Sequence, residues 1–159
     1  NSYVLNLLDK VDFIFLISLL TVDETDNVDY FLYKFNLSKK DQKRNKDIDN
    51  FYKDKKVSNN FIEKRLNKIF YYKGREAVLD ILNYKIFKSK KMDDNLIRLI
   101  EFYKDQPIPT MPVKADFLMS KYNISEGKLL GSKLKVIEEE WVNNNFQISD
   151  QQVEVIINN

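Results

Sequence analysis

The sequence contains no cysteine and no histidine, and only three glycines and three prolines among 159 residues. The missing cysteine excludes a disulfide. Without Cys and His together there is no zinc site of the usual ligands, no Ser-His or Cys-His nucleophile, and no histidine-built phosphohydrolase centre. Glycines at 74, 127 and 131 are too few and too scattered for a phosphate-cradling loop. Long apolar runs are lacking too. The longest, Phe13 to Leu20, is eight residues, too short to cross a bilayer, and it follows Asp12 rather than a basic leader region. The expectation is a soluble, cytoplasmic protein with no membrane partner and no side-chain chemistry of its own.

What is present is ample for a core. Hydrophobic residues make up 43% and charged residues 31%, a globular rather than a disordered balance. The formal net charge is only +2, but it is unevenly spread. Residues 1–38 hold two lysines against six acids; residues 39–91 hold 17 cations against seven acids; residues 92–159 hold seven against eleven. A basic middle between acidic flanks suits a surface that meets nucleic acid, although lysine-rich helices also simply solvate a surface.

Apolar spacing is helical throughout, and no Asn-Gly or Asp-Gly hairpin signal occurs. The fold class expected is all-α: an array of short antiparallel helices, with a body and a small helical tail. Residues 3–20 read as a buried helix. Val28, Phe31, Leu32 and Phe35 share one helical face. Ser38 caps KKDQKRNKDIDNFYK, with Asp41 three residues on. Ser58, Asn59 or Asn60 caps a helix carrying Phe61, Ile62, Leu66, Ile69 and Phe70. After Gly74 a helix from Arg75 ends in Lys85, Lys88, Lys90 and Lys91, and Asp93–Asp94 opens the next. All three prolines lie in DQPIPTMP, which marks a linker. The expected domains are therefore 1–106 and 107–159. Beyond the prolines come helices near 114–122, 126–143 and 149–157, the last capped by Ser149. Two of three glycines, Gly127 and Gly131, stand four apart at a helix start. That spacing predicts a close backbone approach, by a neighbouring helix or by a phosphate at the helix N-terminus.

The string around them carries more. Pro112, Leu118, Gly127, Leu130, Gly131, Leu134, Lys135, Ile137, Glu138 and Trp141 form a pattern that resembles the C-terminal part of bacterial CCA-adding tRNA nucleotidyltransferases and their poly(A) polymerase relatives. YYKGREAVLDIL at 71–82 and FNLSKKDQ at 35–42 resemble further segments of that family. Where the family has P-x-x-G-x-D-L, this chain has PVKADFL, with Ala115 and Phe117 at the glycine and aspartate places.

The resemblance implies the helical body and tail of an enzyme that adds C, C and A to tRNA 3′ ends without a template. It also implies an N-terminal catalytic head, outside this chain, that uses Mg²⁺ with CTP and ATP. No catalytic residue, metal ligand or cofactor is then expected here. The implied partners are the acceptor arm and elbow of tRNA and the head itself. Without that head, the Phe13–Leu20 patch is expected to favour a dimer. Elbow recognition reads shape and phosphate, so lysines on helix faces suffice. The candidates are Lys39, Lys40, Lys43 and Arg44, then Lys64, Arg65 and Lys68, and in the tail Lys128, Gly131, Lys133 and Lys135. The competing reading is a helical protein–protein interaction module with no RNA role.

Overall fold

The computed structural model describes residues 11–23, 25–54, 62–89 and 93–159. Residues 3–10 of the first expected helix, the cap at Ser58 to Asn60, and Lys90 and Lys91 lie outside that set. Among the described residues there are nine helices and no strand. They are α1 (Phe13–Thr21), α2 (Asn27–Lys34), α3 (Lys39–Lys53), α4 (Ile62–Lys73), α5 (Arg75–Lys88), α6 (Asp94–Asp105), α7 (Ala115–Tyr122), α8 (Lys128–Asn143) and α9 (Asp150–Asn158).

The chain divides into two compact units, Asn1–Ser58 with Lys73–Gln106, and Asn59–Tyr72 with Pro107–Asn159. One crossing between the units falls at Gln106–Pro107. The second unit, however, also takes up α4 to Tyr72. Tyr71 causes this: its hydroxyl donates to Glu138 at 2.6 Å, and its ring meets Trp141 edge-on at 5.3 Å. Asn67 adds a side-chain bond to Asn145.

In the first unit α5 packs against α1, α3 and α6. It buries Val78, Ile81, Leu82, Tyr84 and Ile86, which point in several directions round the helix. A helix apolar on all sides belongs at the centre of its unit. α6 offers the contrasting pattern, burying Leu96, Leu99, Ile100 and Tyr103 along one stripe. α3 is capped as expected: the Ser38 hydroxyl accepts from the Asp41 N–H. Asp93 caps α6 in the same way through the Asn95 N–H. Gly74 is the N-cap of α5 at φ 90°, a conformation L side chains rarely adopt.

α1 differs from the expectation of a buried helix. Phe15, Ile17 and Ser18 are buried, but Phe13 is 69% and Leu20 82% exposed, with Leu16 between them also exposed. The helices that pack on α1 (α2, α3 and α5) cover one side only.

The second unit closes on Leu118, Leu130, Ile137 and Val153, with Val113, Tyr122, Leu134 and Ile157 packed around them. Ser149 and Gln152 form a capping box at the start of α9. The end of α8 is a tight reversal. The Phe146 N–H reaches back to the Trp141 carbonyl at 2.8 Å, with Asn145 and Phe146 both at positive φ. Phe146 thereby closes on Trp141 and Tyr71.

Trp141 is the only tryptophan and is buried in the second unit, so its fluorescence reports that unit alone. Ile137→Ala is expected to destabilise the unit by about 2–5 kcal/mol, the cost of emptying a fully buried aliphatic site. Urea unfolding followed at Trp141 would show the loss as an earlier midpoint. An unchanged midpoint would mean that Ile137 is not at the centre of this core.

Candidate nucleic-acid interface

The lysines of α3 fall into two groups. Lys46 pairs with Asp29, and Lys53 with Asp49 and Asp26. Lys39, Lys40 and Lys43 are exposed and make no ion pair with any described residue. They occupy the first turns of α3, on adjacent helical positions. The positive end of the helix dipole adds to their charge rather than opposing it. Three lysines there cost the helix some stability, which Ser38 and Asp41 partly offset at the cap. The result is a concentrated positive potential at one end of α3.

Arg44 has partners within the fold. One turn beyond Lys40, it is offered by its sequence position as a fourth phosphate contact, but its guanidinium is engaged inside the first unit. Its Nε and Nη2 grip both carboxylate oxygens of Asp80 on α5, the second at 2.8 Å, and its Nη1 reaches Asp12, the N-cap of α1. The guanidinium fork suits this bidentate geometry. Hydrogen bonding to Asp80 raises the Arg44 pKa further above its ordinary value and keeps it charged. Burial pushes the Asp80 carboxyl up, and Arg44 opposes that push. Asp12 is held below its usual value: burial pulls it up, but the Phe15 N–H and Arg44 outweigh that. No local signal in the sequence links Arg44 to Asp80, 36 residues away.

In the second unit Lys64 and Lys68 are exposed one turn apart on α4, opposite the buried Leu66 and Phe70. Arg65 is half-buried between these faces. On α8, Lys128, Gly131 and Lys135 recur at i, i+3 and i+7 and form one exposed strip. Neither lysine pairs with a described acid. Lys133 lies on another side of α8, where its ammonium donates to the Ile156 carbonyl at 2.9 Å. Of the two approaches expected at the glycines, that of a neighbouring helix is not made. A Cβ built at Gly127 or Gly131 meets nothing within 4 Å. Gly127 instead serves as N-cap of α8 at φ 148°. Gly131 leaves open space beside Lys128 and Lys135.

The tyrosines near these lysines differ in exposure. Tyr71 is spent in the Trp141 cluster, and its hydrogen bond to Glu138, with burial, pushes its hydroxyl up to about 12. Tyr122 packs against the tail core, and Tyr72 keeps an exposed ring. Among the described residues no three His, Cys, Asp or Glu side chains gather where they could hold a metal ion. None is therefore assigned to the Mg²⁺ that the resemblance implies. No helix among the described residues is long and apolar enough to cross a membrane.

No protein-family model, curated protein or solved structure matches this chain.

Removing Arg44 strands a buried carboxylate. Arg44→Met is expected to destabilise the first unit by about 3 kcal/mol at neutral pH, against less than about 0.5 kcal/mol for Lys43→Ala. The loss should shrink as the pH falls. An unpartnered Asp80 is driven further toward its neutral form, and acid removes its penalty. The Asp12–Arg44 contribution of the parent protein fades over the same interval, with the same sign. Urea titrations followed by circular dichroism at pH 7 and pH 4 would check this; a loss that grows in acid contradicts the assignment.

Gly131→Ala is expected to stabilise α8 by about 0.5–1 kcal/mol, because the added methyl meets open space inside a helix. Destabilisation of the Trp141 transition would show that a neighbour does approach there.

Proposed function

We propose that this chain is the tRNA-holding helical part of a template-independent tRNA nucleotidyltransferase of the CCA-adding type, acting in the cytoplasm. Catalysis, with its Mg²⁺, CTP and ATP, then belongs to a catalytic domain outside this chain. One observation carries the reading. Lys39, Lys40 and Lys43 stay exposed at the positive end of α3 with no ion pair to a described residue, while the other α3 cations are neutralised by acids or turned inward. Phosphate recognition needs cations of that kind, held on a rigid element and not already compensated. The strip Lys128, Gly131, Lys135 supports it, since the glycine leaves room for a sugar–phosphate backbone beside two lysines. Lys64 and Lys68 are further contacts. Arg44 is left out because its fork serves the fold, and Lys133 because it lies on another side of α8 from the strip.

A second reading, a helical protein-interaction module, rests on the exposed stripe of Phe13, Leu16 and Leu20 on α1. Such a stripe suits an apolar partner and contributes nothing to phosphate binding.

Binding of the chain to full-length tRNA and to an acceptor minihelix across a salt series separates the two. The nucleic-acid reading expects tighter binding to full-length tRNA, with log K falling linearly in log salt. Lys39→Ala/Lys40→Ala/Lys43→Ala should then lower that slope by about three, one for each phosphate no longer neutralised. Equal weak binding to both RNAs, or no binding at low salt, would rule the reading out and favour the interaction module.

A further inference from the structure

Beside the lysine strip, α8 presents a second exposed line of residues. α8 and α9 leave an open groove of about 330 Å³, lined by Val136, Glu140, Ser149, Gln152, Val155 and Ile156. Val136 is 48% and Val155 60% exposed. Leu129, seven residues before Val136, is exposed as well and continues the ridge. Seven residues are nearly two full helical turns, so Leu129 and Val136 lie almost in line. Lys133 and Glu140 are also seven apart, and they flank Val136 by three and four residues on the same side.

This strip is complementary to its own reversal. If two α8 helices pack antiparallel about a two-fold axis near Val136, Lys133 of each faces Glu140 of the other. The apolar residues between them then meet across the axis. An isologous dimer requires that kind of self-complementarity. The charges are available for it. Glu140 makes no ion pair with a described residue. Lys133 uses one ammonium hydrogen on the Ile156 carbonyl and keeps two more. The apolar stripe of α1 has no equivalent: Phe13–Thr21 contains no charged residue that could set a register.

We propose that this chain forms a homodimer through the α8–α9 face, with Val136 of each copy seated in the groove of the other and two symmetric Lys133–Glu140 pairs fixing the antiparallel register. The Lys128, Gly131, Lys135 strip lies on a different side of α8 and stays open, so the dimer neither needs nor forbids RNA.

The test is sedimentation equilibrium of the full chain from low to high micromolar concentration, with Trp141 fluorescence and circular dichroism as controls on folding. The expected result is a reversible monomer–dimer equilibrium that Val136→Asp abolishes and Leu16→Asp leaves intact. Glu140→Lys should weaken dimerisation about tenfold by turning two attractions into repulsions. The swap Lys133→Glu/Glu140→Lys should restore it, which a merely structural role for either residue would not do. A chain that stays monomeric throughout, a dimer abolished by Leu16→Asp but not by Val136→Asp, or a swap that fails to restore association while both folding controls match the parent would each overturn the proposal.

Discussion

The first unit depends on where one guanidinium goes. Arg44 sits on a helix with six cations, yet its fork ties α3 to Asp80 on α5 and to the cap of α1 at Asp12. Three helices meet at one cation. Its removal would leave Asp80 nearly buried and charged, which is why the pair defines the packing even though ion pairs of this kind add little net stability. α5 can be apolar nearly all round because its one buried charge is answered there. The remaining α3 cations then either pair along the rim or remain free to meet something outside the molecule.

The second unit uses a different device. Its helices are short, and their ends are held by local hydrogen bonds: the Ser149–Gln152 box, the Gly127 cap and the reversal at Asn145–Phe146. Those reversals aim Phe146 and Trp141 at Tyr71, which brings α4 into a unit that its place in the chain does not suggest. With the core face of α8 occupied, its remaining sides are left to the lysine strip and to the apolar ridge at Val136. Different faces of one helix thus serve different proposed purposes without competing.

The candidate site was legible in part. Lys39, Lys40, Lys43, Lys64, Lys68, Lys128 and Lys135 lie on exposed faces, because solvent-facing positions follow from the apolar spacing of their own helices. Arg44 and Lys133 have partners in the fold that the sequence does not show. Each is bound by a group from another helix, Asp80 in one case and the Ile156 carbonyl in the other. Nothing in the neighbouring residues signals such a partner. Gly127 and Gly131 have no neighbouring helix against them: one is a cap and the other borders open space.

The sequence by itself determined the helices, their caps at Ser38, Asp93 and Ser149, and the break at the prolines, because these depend on interactions within a few residues. It likewise determined the inward faces of α6 and α8, where periodicity alone selects the buried side. Only the tertiary structure decided that α4 joins the tail, that α1 is covered on one side and that Arg44 turns inward. Each of these depends on contacts between residues far apart in the chain, for which composition, spacing and local charge carry no record.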